Sequence, residues 1–189
     1  MNNPLQEMTN EELWVLFPII LSKHRAEWAK FYEQEKDTII SALGTNNMYR
    51  INHIGSTSVP GLLEIPTDAD IPSLTAALIS AGYICNTQPN NPAPHLMFMK
   101  GYTPQGFRGQ AVHLHVRFPG DWNELYFRDY LRSHPETAKS YGKLKQHLQL
   151  RDEHERDAYT EAKTDFIQEA TRLARKEMGN KYTTPSTTL

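Results

Sequence analysis

Cysteine is nearly missing from this chain. Cys85 stands alone, so no internal disulfide can form, and a reducing compartment suits the sequence. Long apolar runs are missing too: none approaches the length a bilayer-spanning helix needs. The first residues lack the basic-then-apolar pattern of a secretory leader, so the expected location is cytoplasmic, with no membrane partner. Charge of one sign is scarce. Twenty Lys and Arg against 22 Asp and Glu leave a formal net charge of −2. Such a chain has no global basic field to gather nucleic acid and no aromatic–basic patch, which makes nucleic-acid binding the weakest of the function classes considered. No Gly-Lys-Ser/Thr step follows a glycine-rich loop, which excludes a Walker loop, and the G-x-G-x-x-G dinucleotide spacing is absent. There is no internal repeat.

What remains is ordinary and sufficient. At 189 residues and 39% hydrophobic, the chain can bury a real core as one domain, or one domain with an appended helical part. Thr9 and Glu12 have capping-box spacing before a short helix that Pro18 interrupts. Phe17 to Leu21 reads as a short buried strand or an apolar arm. Ser22 can cap a helix over Lys23 to Leu43, whose Trp28, Phe31, Tyr32, Ile39, Ala42 and Leu43 share one face, and Gly44 ends it. Tyr49 to Ile54 alternates as a strand. Ser73 to Ala81 is a helix burying Leu74, Leu78 and Ile79. Strands follow from Tyr83, over His95 to Lys100, and over Ala111 to Phe118, with a hairpin-like excursion from Gly101 to Gly109. On the last strand Val112, Leu114 and Val116 face one way and His113, His115 and Arg117 the other. From Asp121 the pattern turns helical. Asp121 or Asn123 can cap Glu124 to Ser133, Pro135 starts a helix running to about Leu150, and a last helix runs from about Glu153 to Met178. A small mixed sheet with an inserted helix, followed by helices, is α+β.

One stretch is not generic. After the strand come Gly55-Ser56-Thr57-Ser58, then Val59-Pro60-Gly61-Leu62. Gly55 permits a tight turn and close ligand approach. Three hydroxyls and nearby backbone N–H groups make a phosphate cradle, and Pro60-Gly61 reads as a second turn. The bland alternative is a connection whose Ser and Thr satisfy only local backbone groups.

The run His53 to Leu62 resembles the signature of the GrpB family, of the nucleotidyltransferase-fold superfamily of DNA polymerase beta type. Val112-His113-Leu114-His115-Val116 and the run from Asp121 to Ile167 resemble it as well, and the likeness covers roughly residues 15 to 175. It implies a nucleotidyltransferase-like core over residues 1–120 and a C-terminal helical part over 121–179 packed on it; the polar Thr/Ser/Pro run over 180–189 reads as a disordered tail. It also implies a reaction class. Nucleotidyl transfer takes Mg2+ on carboxylates to hold a triphosphate and activate a hydroxyl. Asp68 and Asp70 have the superfamily's Asp-x-Asp spacing after Gly55-Ser56, and on a strand two such residues share a face. A second alignment is equally open. The family's Lys-Pro step and the Asp-bearing run after it are absent here. In that case Leu62-Leu63-Glu64-Ile65 ends the strand, Asp70 caps the next helix, and the metal site lacks its carboxylates.

His113 and His115 share a strand face. Alone they read as two half-exposed strand residues, since no further ligand stands at zinc spacing; the resemblance places that strand beside the pocket and implies a phosphate or metal contact. The helical blocks match those with which polymerase-beta relatives gather cations against a triphosphate, which implies phosphate roles for Arg128, Arg132, Lys145 and Lys163. The bland reading of these is a solvated basic face. Two functions follow: magnesium-dependent nucleotidyl transfer to an acceptor, or non-catalytic binding of a nucleoside triphosphate or phosphorylated small molecule.

Overall fold

The structure, a computed structural model, describes residues 5–55, 59–87, 90–91 and 93–183. It divides into two compact units. One is built around a sheet and holds His24–Tyr102, Arg108–Asp121 and Tyr182–Leu189; the other is helical and holds Met1–Lys23, Thr103–Phe107 and Trp122–Lys181. The first 23 residues thus group with the helices, not with the sheet as the 1–120 division expects. No helix among the described residues is long and apolar enough to cross a membrane.

The sheet is mixed and the class is α+β. Its strands β1 (Arg50–His53), β2 (Val59–Glu64), β3 (Ile84–Thr87), β4 (Leu96–Thr103) and β5 (Gly106–Arg117) lie in the order β1-β2-β5-β4-β3. Strand β2 runs antiparallel to β1 and parallel to β5. The alternation read in β5 holds: Val112, Leu114 and Val116 are buried with Leu63 of β2. Helices α2 (Glu27–Leu43) and α3 (Ile71–Ser80) add Ile39, Leu43, Leu74 and Leu78 to the same core. Phe31 and Ile79, read as core, are exposed.

Pro60-Gly61 is not a turn but part of β2. Proline is tolerated at the start of a strand, and the glycine answers a packing need. A Cβ on Gly61 would stand 2.9 Å from Cδ1 of Leu114, its partner in register. Leu114 has no free space, being fully buried. Gly61→Ala is therefore expected to cost about 1–3 kcal/mol by overpacking. A lower urea midpoint with an unchanged slope would show it; an unchanged midpoint would mean Leu114 moves freely.

Helix α2 starts at Glu27, later than Lys23, and Ser22 does not cap it: the N-cap is Ala26, without a side-chain bond. Lys23, His24 and Arg25 would place successive basic residues at the positive end of the helix.

In the helical unit, α1 (Asn10–Leu16) opens with the expected capping box, both bonds between Thr9 and Glu12 present. Phe17 to Leu21 is an arm rather than a strand. Phe17 and Ile19 are buried, Ile20 is exposed, and the Ile19 N–H donates to the Glu153 carbonyl at 3.0 Å. Helix α4 (Asn123–Ser133) is capped by neither Asp121 nor Asn123. Trp122 holds the cap position, and the Asn123 side-chain oxygen accepts from Arg175 Nε at 2.7 Å. Helix α5 (Pro135–Arg151) begins at its proline as read. The long last helix is broken into α6 (Arg156–Glu161) and α7 (Thr164–Met178). Tyr159 packs with Ile19 and Leu148, while α7 packs on α4. Lys181 and Tyr182, read as part of a disordered tail, make defined contacts. Lys181 Nζ donates to Asp129 Oδ2 at 2.7 Å, and the Tyr182 ring lies 5.7 Å from the Arg50 guanidinium. Residues 184–189 lie outside the described residues.

Candidate anion-binding site

Strand β1 leads into the candidate cradle. Gly55 is exposed with φ +81°, a backbone region in which a side chain is strained, so the glycine is required there. Ser56, Thr57 and Ser58 lie outside the described residues. His53 stacks on Tyr32 of α2 at 4.5 Å between ring centroids. Asn52, which sequence reasoning passed over, has its amide nitrogen buried without a hydrogen-bond partner among the described residues. It shares a face with His115, since both are in register with Leu62.

The two aspartates are not on a strand, because β2 ends at Glu64 and Pro66 begins a turn. Asp68 is exposed in that turn. Asp70 is the N-cap of α3: Ser73 N–H donates to its Oδ1 at 3.2 Å and Ser73 Oγ to its Oδ2 at 2.6 Å. These bonds hold its carboxyl below the usual range. The shared strand face that an Asp-x-Asp metal pair needs is therefore not formed, and the cap of the second alignment is. Asp70→Ala should give a small loss of thermal stability while the fold stays intact, and Asp70→Ser should restore most of it. Unchanged melting in the alanine variant would show that the cap contributes nothing.

Among the described residues the strands carry a single carboxylate, Glu64, and it is fully buried. In register on its two sides stand Arg50 and Arg117. Arg50 forks onto the carboxylate through Nε and through Nη2, the latter at 2.9 Å, and Nη2 also donates to the Gly120 carbonyl at 3.1 Å. Arg117 is buried and donates to the carbonyls of Val116 at 2.9 Å and Leu96 at 3.3 Å. No group of three or more His, Cys, Asp or Glu among the described residues is arranged to hold a metal ion.

The histidines differ from each other. His113 Nε2 lies 2.6 Å from the Tyr102 hydroxyl. His115 is pushed down to about 4 by burial, with the Arg117 and His113 charges adding to it. It is neutral at neutral pH and offers an anion no charge.

The four predicted cations separate into two groups. Arg128 Nε donates to Asp129 Oδ1 at 2.7 Å, and Arg132, largely exposed, has Nη1 3.8 Å from the same oxygen. With Lys181 they surround one carboxylate. Lys145 and Lys163 have no carboxylate partner among the described residues, nor has Arg156, which sequence reasoning did not single out. Lys145 Nζ lies 4.8 Å from the Tyr141 ring and Lys163 Nζ 3.9 Å from the Tyr159 ring. Arg156 Nη2 donates to the Phe17 carbonyl at 2.9 Å. Burial lowers the pKa of both lysines, and the charges of Lys145 and Arg156 help bring Lys163 to about 8. A legible signal was present: each lysine follows a tyrosine by four residues, the helical spacing that stacks side chains. Three part-buried cations that repel one another form a place where an anion is stabilised.

The GrpB protein family profile matches residues 18–173. The chain belongs to the GrpB family. Among its relatives, a UPF0157 protein of Pseudomonas aeruginosa is 34% identical over 74% of this chain and 61% of its own length. The UPF0157 protein YqkA of Bacillus subtilis is 28% identical over 81% of this chain and 46% of its own. One from Halalkalibacterium halodurans is 29% identical over 90% of each. The chain therefore spans less than two thirds of the first two relatives. The crystal structure of the conserved protein GrpB from Enterococcus faecalis superposes with a TM-score of 0.69 at 24% identity, covering 84% of this chain and 98% of that one. That is a likeness of fold. In this GrpB-family chain β2 stops at Glu64, a carboxylate already engaged by Arg50.

Proposed function

We propose that this GrpB-family protein binds a nucleotide or another phosphorylated small molecule and does not transfer a nucleotidyl group. The observation that carries the reading is the cluster of Lys145, Arg156 and Lys163, three part-buried cations without a counter-charge among the described residues. Arginine supplies a planar fork and lysine a point charge, the pair of donors suited to phosphate oxygens. The carboxylates argue for binding over transfer. Asp70 is occupied as a cap and Glu64 as the partner of Arg50. Magnesium is accordingly not needed for the ligand to bind.

Isothermal titration with ATP and with inorganic phosphate, each with and without magnesium, tests this. Binding should persist without the metal, and no pyrophosphate should appear over hours. Lys145→Met should weaken binding roughly ten- to a hundredfold, as loss of a charged hydrogen bond of about 1.5–3 kcal/mol does. Binding that requires magnesium together with pyrophosphate release would restore the transferase. No binding of either ligand would sink the phosphate reading.

A further inference from the structure

The sheet-built unit contains a cavity that the phosphate reading leaves unused. Phe31 and Glu35 of α2, Lys100 of β4, and Arg108, Gln110 and Val112 of β5 line it, and its volume is about 200 Å³. Phe31 and Glu35 are four residues apart and so share one face of the helix. The Phe31 ring, 39% exposed, forms an apolar wall. Glu35 is pinned: the Tyr83 hydroxyl and Lys100 Nζ, the latter at 2.7 Å, both donate to its Oε1. Burial, and then the hydrogen bond to Glu35, push the ionisation of Tyr83 far above its ordinary range, so the hydroxyl keeps its proton and stays a donor. The second oxygen, Oε2, has no partner among the described residues. Lys100 balances the Glu35 charge. Arg108 is exposed and has no carboxylate partner among the described residues. One cavity therefore offers a free guanidinium fork from the sheet, an open carboxylate oxygen from the helix, and an aromatic ring.

From this juxtaposition we propose that the cavity binds a free α-amino acid with an apolar side chain. Arg108 takes the carboxylate as a bidentate fork, Glu35 Oε2 accepts from the ammonium, and the side chain lies against Phe31 and Val112. Each charge of the zwitterion meets its opposite. A phosphate dianion would instead face the open Glu35 oxygen. The volume also falls below the roughly 300–1,000 Å³ of pockets for drug-sized ligands, which suits an amino acid and is too small for a nucleotide. None of these residues belongs to the cluster of Lys145, Arg156 and Lys163, so this site and the phosphate reading stand or fall separately.

The test is isothermal titration of the full chain with L-leucine and with two analogues that each lack one charge: leucinamide, without the carboxylate, and isocaproate, without the ammonium. L-Leucine should bind, and each analogue should bind roughly tenfold or more weakly, as loss of one charged hydrogen bond implies. Arg108→Met should weaken L-leucine by a similar factor and leave leucinamide unchanged; Arg108 is exposed, so this variant should keep the fold. Glu35→Gln should remove the preference for L-leucine over isocaproate. Inorganic phosphate should not displace L-leucine. Equal binding of L-leucine and isocaproate by the wild type would reduce the site to a carboxylate pocket and overturn the proposal. Displacement by phosphate would overturn it too, as would L-leucine binding that Arg108→Met leaves unaltered. Absence of L-leucine binding at millimolar concentration would remove the site altogether.

Discussion

Replacing Glu64 with alanine is expected to cost about 3 kcal/mol of folding stability, a large share of what a domain of this size possesses. The carboxylate is wholly inaccessible, while the Arg50 side chain retains 27% of its exposure. Removing the acid leaves a guanidinium part-buried without its anion, with only the Gly120 carbonyl still accepting from it. It also opens a cavity between β1 and β5 in a sheet row that holds a buried arginine, Arg117. The loss should therefore exceed that of an exposed ion pair, which is worth roughly 0–1 kcal/mol. Urea unfolding of Glu64→Ala, Arg50→Ala and the double variant forms the cycle that isolates the pair. The double variant should be less destabilised than the sum of the singles, because removing both charges leaves neither alone. A single-variant loss below about 1 kcal/mol would mean that water reaches the site and that the pair is a surface interaction.

Acid should weaken the fold through His115. Its folded pKa, about 4, lies below the ordinary 6.5 because burial disfavours the imidazolium and the Arg117 and His113 charges oppose it. The unfolded chain therefore takes up this proton first as pH falls. Between about pH 6.5 and 4 the unfolded state holds more protons than the native state, so stability declines as pH drops through that window and is restored as pH rises. Over the whole window the effect is on the order of 3 kcal/mol, from about 1.4 kcal/mol per unit. His115→Gln should flatten that part of the stability profile, measured by urea unfolding from pH 4 to pH 7. Carboxylates held low, such as Asp152 beside Arg151 and Asp70 at its cap, lose their contribution only as pH falls further, and they are common to both proteins. Parallel profiles for the wild type and the variant would show that His115 titrates as an exposed histidine does.

Elements governed by near neighbours were legible from the residues. Thr9 and Glu12 are three apart and close their capping box locally. Asp70 meets Ser73 within one helical turn. The alternation of Val112, Leu114 and Val116 against His113 and His115 needs only the pleat of a strand. Of the candidate site, Lys145 and Lys163 were legible as cations, and Gly55 as a position needing glycine. Their value was not, because charge on a helix says nothing about whether an acid stands nearby. Arg128 and Lys145 look alike in the sequence, yet one lies against Asp129 and the other over a tyrosine ring.

By itself, then, the sequence determined the α+β class, the family, and the capping box of Thr9 and Glu12, which needs only residues within one turn of each other. Only the tertiary structure decided three matters. Pro60-Gly61 became strand because β5 pairs with both residues and β1 with Gly61, and Leu114 excludes a side chain at Gly61. Glu64 became a buried ion-pair partner because pairing of β1 with β2 brings Arg50 opposite it. Lys145, Arg156 and Lys163 became one cluster because folding brings Lys145 of α5 within electrostatic reach of Lys163, and the energy of that cluster depends on distances and burial that no local spacing encodes.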